Sequence, residues 1–322
     1  MTKVTCIIPS TCSDRIFPHL KKCINSLHNS AEGNIVLTVG LVSENPNGRK
    51  NILGLKIDAF YLVDKDTGFA RMNNVAIEET LNTYSPDYIL LINDDAWVGE
   101  NFFKIFLQTI RKKKEDVVIP LILDSEGKNI DSYGAEYFSS GFARDSKSFG
   151  TKTSLASAGC LLIKSNILKR IKKLSGFYFN PILSFYLEDV ELSIRLKSLK
   201  IKFFKTPKLV AYHHGSLTSG KKSYFKYFHS YRNLIWIILI DWPVSVIAKN
   251  FFKILIFQGF VVIKGSIYFG LTIYPRIVWE TLIKLKELLR LRNLTLRAYK
   301  KDFKFESIMN GHIYCTKKGI YF

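Results

Sequence analysis

Residues 87–98 read DYILLINDDAWV, and the fold turns on how they are read. Tyr88 to Ile92 form an unbroken apolar run without polar alternation, the pattern of a strand buried on both faces. The run stops at Asn93, Asp94 and Asp95. In an α/β sheet, the carboxyl end of such a strand is where ligands gather. Carboxylates there can hold a hard divalent cation that in turn grips a diphosphate. A turn with solvated acids accounts for the same three residues equally well.

Working outward, short β-rich runs alternate with helical ones. KVTCIIPS (3–10), IVLTVGLVS (35–43), IDAFYLVDK (57–65) and DVVIPLIL (116–123) are strand candidates. FPHLKKCINSL (17–27), ARMNNVAIEETLNTY (70–84) and NFFKIFLQTIRKKK (101–114) are helix candidates. Apolar strands interleaved with helices predict a doubly covered, mostly parallel sheet. Residues 124–157, with DSEGKNIDSYG, predict turns and short strands near the site. AGCLLIK (158–164) is a further strand, and SNILKRIKKL (165–174) a helix with Ser165 as its cap.

A second acidic pair lies in SFYLEDVELSIRLK (184–197). Leu192, Leu196 and Leu199 repeat at helical spacing, as do Val190 and Ile194, so Glu188 and Asp189 fall in the first turn of a helix. Capping explains one acid there. A general base taking a proton from a hydroxyl explains it too. AYHHGS (211–216) ends another strand with His213 and His214, which are either structural or ligands beside a carboxylate-bound metal.

The chain carries 47 Lys and Arg against 27 Asp and Glu, a formal charge of +20. The excess is concentrated late: 29 against 22 in residues 1–214, and 18 against 5 in 215–322. From about 221 the texture becomes apolar and aromatic, interrupted by Asp241, Lys249, Lys253 and Lys264. Basic side chains beside aromatic and aliphatic faces predict helices lying at an anionic membrane surface. A helical subdomain packed on the core, or a true span from Phe251 to Tyr274, are the other readings. The aromatics sit in long aliphatic runs rather than interleaved with basic residues, which argues against a nucleic-acid partner. The N-terminal apolar run meets Pro9 and reads as a buried strand rather than a secretory leader. Five cysteines without a Cys-x-x-Cys pair read as reduced thiols.

Taken in order, these fragments resemble glycosyltransferase family 2, and within it the rhamnosyltransferase-like branch with a GT-A fold. The resemblance rests on CIIPST (6–11), DTGFARMNNVAI (66–77), the Asn-x-Asp of INDD, GKNIDSYG (127–134) and SAGCLLIKSNIL (157–168). It rests most on the block from SGFYFNP to YHHGS (175–216), followed by Tyr231-Arg232-Asn233. The second strand departs from the family: its usual Val-Asp-Asn is replaced by Ser43 and Glu44.

The resemblance implies an α/β GT-A domain over 1–220, and the composition of 221–322 adds a helical, basic, membrane-associating region. It implies inverting transfer of a sugar, rhamnose at branch level, from a nucleoside diphosphate to a hydroxyl of a glycan or lipid-linked acceptor. Asp189 then resembles the base, and Glu188 orients it or binds acceptor. Asp95 with His213, or His214 in its place, would hold Mn or Mg. Pro9, Ser10, Thr11, Glu44, Asp66, Gly68, Phe69, Arg71, Asn74, Asn93, Asp94 and Gly159 would bind donor. The enzyme would act as a peripheral protein on the cytoplasmic face of the cell membrane. A scaffold that keeps the fold without catalysis is the alternative.

Overall fold

The computed structural model describes the chain except residues 32–33, 66, 114, 150–154, 216–222, 311–313, 317–318 and 322. Asp66 and the boundary expected at 220/221 therefore lie outside the described residues. In chain order the elements are β1 (Thr2–Pro9), α1 (Phe17–Ser30), β2 (Ile35–Ser43), α2 (Gly48–Asn51), β3 (Ala59–Leu62), α3 (Phe69–Thr83), β4 (Tyr88–Ile92) and β5 (Ala96–Val98). Then follow α4 (Phe102–Lys113), β6 (Val117–Asp124), β7 (Ile130–Ser132), β8 (Ala135–Tyr137), β9 (Ala143–Asp145), β10 (Cys160–Lys164), α5 (Ser165–Ser175), α6 (Glu188–Ser198) and β11 (Phe203–His213). The C-terminal part contributes α7 (Tyr224–Asp241), α8 (Val244–Phe269), α9 (Ile273–Ala298), a 3-10 turn at Phe305–Ile308, β12 (Tyr314–Thr316) and β13 (Gly319–Tyr321).

Among the described residues the main sheet has nine strands, ordered β3-β2-β1-β4-β10-β6-β11-β5, with β7 added on β6. The pairs β3–β2, β2–β1, β1–β4 and β6–β11 are parallel; β10 runs antiparallel to both β4 and β6, and β5 to β11. The sheet is thus mixed where the interleaved pattern predicts a mostly parallel one. Alternation along the strands sends side chains to two layers. Val4, Cys6, Ile8, Leu90 and Ile92 pack with α1 and α4 residues such as Leu20, Leu27 and Phe103. Ile7, Ile89, Leu91, Leu161 and Ile163 pack with α3, α5 and α6 residues such as Ile77, Leu168 and Leu196. Each such side chain, fully buried, contributes about 1.5–3 kcal/mol.

Helix α6 is buried on both sides: Leu192, Leu196 and Leu199 belong to the sheet layer. Val190 and Ile194 belong to a third cluster, built mainly by Leu234, Trp236 and Ile237 of α7, Phe257 and Val261 of α8, and Ile277 and Leu288 of α9. The C-terminal helices therefore share a core with the helix that starts at the acidic pair. Ser165 is the first residue of α5 rather than its cap; Lys164 takes that place in extended backbone, and the Ser165 amide donates to the Asp87 carbonyl. The helix closes on Gly176 at φ 85°, a left-handed turn that glycine adopts without strain. Cys6, Cys12, Cys23 and Cys160 are free, buried thiols.

Among the described residues one helix, α8, is long and apolar enough to cross a membrane by length and composition, and 22% of its apolar stretch is buried inside the protein. Phe252, Ile256, Ile263 and Ile267 share one exposed face, joined by Trp279, Leu282 and Ile283 exposed on α9.

Candidate active site

The chain leaves β4 at Asn93 and turns through Asp94 and Asp95 into β5, with the Ala96 amide closing on the Asn93 carbonyl. Strand β5 pairs with β11 so that Ala96 lies opposite His213, and the His214 amide donates to the Asp95 carbonyl at 3.0 Å. That pairing brings side chains together: His213 Nε2 lies 3.0 Å from Asp95 Oδ1, and His213 Nδ1 lies 2.8 Å from Asp131 Oδ2. Burial opposes charge on this imidazole, but the hydrogen bonds and charges of Asp131 and Asp95 outweigh it and push its pKa up to about 10. Beside them, burial raises the Asp94 carboxyl to about 7 against a hydrogen bond from Ser10.

Elsewhere in the lining of the same cleft, α6 begins with the second acidic pair. Its cap is Leu187 in the left-handed region, at φ 67°. Ser184 and Tyr186, also non-glycine, have φ of 55° and 67°. Such residues in left-handed backbone are costly and collect at functional sites. Asp189 Oδ2 accepts from the Ala158 amide at 2.9 Å and Oδ1 from its neighbour Val190 at 2.8 Å. Burial lifts its carboxyl to about 6 against these two donors. Glu188, 7% exposed, is raised well above the ordinary range by burial and then by the Asp189 charge, and its buried Oε2 has no hydrogen-bond partner among the described residues.

Both acidic pairs open onto a single cavity of about 670 Å³. Of the sequence-predicted residues, Pro9, Ser10, Thr11, Phe69, Asn93, Asp94, Asp95, Gly159, Glu188, Asp189 and His213 line it. Gly159 needs no glycine for packing, since a Cβ there would meet Ile122 at an ordinary 3.6 Å.

Five predicted residues lie outside this lining. Glu44 accepts from the Gly68 amide at 2.6 Å. Gly68 itself, at φ 80°, sits where a Cβ would come within 3.1 Å of Ser184. Asn74 is committed to the backbone of Phe179, accepting from its amide at 2.7 Å and donating to its carbonyl at 2.8 Å. Arg71 lines a separate cavity of about 220 Å³ with Arg232, Trp236 and Glu280. At about 100° of rotation per residue, it points roughly 200° away from Phe69, which explains why one helix turn cannot present both to the same cleft. His214 is exposed, its ring edge-on to His19.

Conversely, the cleft contains residues that motif reading did not assign. Asp131 stands behind His213, and Arg144, bridged to buried Glu136 at 2.8 Å, and Asp145 line the wall. Phe185, Tyr186, Phe225 and Lys226 form a rim shared with α7. Asp131 sits inside GKNIDSYG, so its position carried the signal; the Arg144–Glu136 pairing across β8 and β9 carried none.

With the His213 ring deprotonated at Nε2, the donor set suits a hard or borderline divalent cation: one carboxylate and one imidazole, with Asp131 fixing the ring from behind. Among the described residues no cluster of three or more His, Cys, Asp or Glu forms a complete cage. A cation held here would complete its sphere with ligand oxygens.

No protein-family model matches the chain, and no curated protein matches it. Solved structures do. GalNAc-T7, crystallised with UDP, GalNAc and Mn2+, is 13% identical over 76% of this chain and 49% of its own, with a TM-score of 0.57. This chain thus spans about half the length of that protein. Residues 1–349 of TarS from S. aureus, in complex with UDP, are 15% identical over 92% of this chain and 87% of that one, with a TM-score of 0.56. The mannosyltransferase PcManGT from Pyrobaculum calidifontis, with GDP-Man and Mn2+, is 9% identical over 92% and 85%, with a TM-score of 0.52. These neighbours are GT-A glycosyltransferases. At such identities the likeness is one of fold, and the fold is GT-A-like, followed by a helical region with one apolar helix.

Proposed function

We propose that the chain is a nucleotide-sugar-dependent glycosyltransferase that moves a sugar, with inversion, from a nucleoside diphosphate to a hydroxyl of a glycan or lipid-linked acceptor. The observation that carries this reading is the opening of two acidic pairs, distant in sequence, onto one cavity large enough for an activated sugar. Residues Pro9–Thr11, Phe69, Asn93–Asp95 and Gly159 line the donor side. Asp95 and His213 would hold Mn or Mg, with Asp131 orienting the imidazole. Such a cation, when bound, would supply charge stabilisation for the departing diphosphate. No general acid is then needed on that side.

Asp189 takes the proton from the acceptor hydroxyl on the other face of the sugar. Two backbone donors hold its carboxylate in place, and its raised pKa improves it as a base. Glu188, whose carboxyl burial biases toward its neutral form, offers acceptor an oxygen that no described residue hydrogen-bonds. Neighbours of the same fold that bind UDP or GDP-Man support a nucleotide-sugar donor. The order of motifs favours family 2 and a rhamnosyl donor. Residues 1–220 form the transferase part. Residues 221–322 rest on an anionic membrane surface at the cytoplasmic face, through the apolar faces of α8 and α9 and their flanking lysines.

A screen of nucleotide sugars with Mn or Mg, scored by thermal shift and by diphosphate release, tests the reading. One donor should both stabilise the protein and be turned over. Equal turnover by wild type, Asp95→Ala and Asp189→Ala, or no turnover with any donor, overturns it.

A further inference from the structure

The segment that delivers the Glu188–Asp189 pair is strained, and side chains from the C-terminal region, Asn233 above all, hold it. Ser184, Tyr186 and Leu187 all occupy left-handed backbone without being glycine. Such a loop persists only where its surroundings over-determine it. Asn233 of α7 is fully buried, and its Nδ2 donates to the carbonyls of Leu183, Phe185 and Tyr186, each at 2.8 Å. Its two N–H bonds are shared among three acceptors, so the amide is used completely. On its other side, Oδ1 accepts from Arg232 Nε at 3.1 Å and Nη2 at 3.0 Å. Arg232 reaches the Leu183 carbonyl at 3.4 Å, lies over the Trp236 ring at 4.1 Å and pairs through Nη1 with Glu280 of α9 at 3.0 Å.

The geometry points to Asn233, backed by Arg232 and Glu280, as the positioning residue that keeps the 183–187 loop in its strained form and so aims Asp189 at the cleft. The inference rests on the glycosyl-transfer reading for its functional half. The chain of contacts runs from the membrane-facing helical hairpin through one guanidinium and one amide to three carbonyls next to the acidic pair. Capping cannot replace it, since Leu187 has no side-chain cap to offer. Loss of the Nδ2 donors takes this hold from the half-buried Phe185 and Tyr186 carbonyls and leaves Leu183 to Arg232 and the Phe185 amide, and the cheapest relief is rotation of the loop toward ordinary backbone.

The test compares Asn233→Asp, Asn233→Ala and Glu280→Gln with Leu27→Ala, a core truncation under α1 on the other layer of the sheet. Hydrogen exchange of residues 183–190 is measured together with nucleoside diphosphate affinity and transfer kinetics. The Asn233 variants should exchange at least tenfold faster in this segment than Leu27→Ala at matched melting temperature. They should lose at least tenfold in kcat, with diphosphate affinity within twofold of wild type. Glu280→Gln, on a half-buried residue that leaves the amide in place, should show the same pattern at about threefold and serves if the Asn233 variants do not fold. Exchange no faster than in Leu27→Ala overturns the inference, and so does faster exchange with unchanged kcat. Failure of the transferase reading shows separately, as a wild type that turns over no donor; the exchange comparison still decides the hold on the loop.

Discussion

The amide of Ala158 donates to Asp189 Oδ2 at 2.9 Å. Ala158 directly precedes Gly159 in the cleft lining, so the backbone of that wall also fixes the Asp189 carboxylate beside it. This contact sets the proposed base in one rotamer while burial lifts its pKa to about 6.

The sign of the pH effect follows. The base must be ionised, and acidification through about 6 protonates it. The acid limb of kcat/KM should therefore fall about tenfold per pH unit below that value. Asp189→Asn should remove the limb and lower kcat by about a hundred- to ten-thousand-fold. A pH–rate profile of the two proteins checks this; an acid limb retained in Asp189→Asn assigns the base elsewhere.

For the cation, Asp95→Asn and His213→Ala should each abolish Mn2+ binding measured by titration calorimetry in the presence of a nucleoside diphosphate. Asp131→Asn leaves both ligands but frees the imbalance behind the ring, and should weaken Mn2+ by about 10–100-fold. Unchanged Mn2+ affinity in the Asp131 variant removes its orienting role.

Stability hangs on a buried pair behind the cleft. Arg195 meets Glu191 at 2.8 Å, with the two side chains 4% and 0% exposed, and also donates to Ser175 Oγ and the Tyr178 carbonyl. Arg195→Met strands a buried carboxylate and should cost about 3–5 kcal/mol in urea denaturation. Adding Glu191→Leu should recover much of that loss, because the uncompensated charge goes with it. Equal stability of the single and double variants would contradict this account.

At the surface, Phe252, Ile256 and Ile263 are 75%, 49% and 59% exposed on one face of α8. Replacing all three with Ser should lower binding to anionic vesicles by well over tenfold in flotation assays, since each large apolar side chain buried in the interface contributes on the order of 1 kcal/mol or more. Flotation equal to wild type removes the membrane role from this face.

Much of this architecture is legible in the residues. β1, β2, β4, β6 and β10 are continuous apolar runs because both of their faces are covered, and α6 shows its two buried stripes in Leu192/Leu196/Leu199 and Val190/Ile194. Strand direction is not legible in the same way. An apolar run reads identically in either sense, so the reversal of β10 appears only in its pairing with Ile92 and Val118. The three-residue β5 is too short for any periodicity, yet it sets His213 against Asp95. Motif spacing located both acids and the histidine. It did not foresee that Arg71 and Asn74 turn away from the cleft, because side-chain direction around α3 depends on how the helix is docked. Asn233 was visible as the end of the Tyr231-Arg232-Asn233 motif; that it reaches three carbonyls nearly fifty residues upstream is a property of packing alone.

The reversal of β10 has an evolutionary corollary. A strand that runs against its neighbours offers its beginning, not its end, to the functional rim of the sheet. Insertions just ahead of Cys160 would therefore remodel the floor of the cleft and, on the proposed function, retune which sugar it admits. Insertions after Lys164 would lengthen a remote edge and leave selectivity alone. Divergence among enzymes that share this arrangement should accumulate on the first side when donors change, and on the second when they do not.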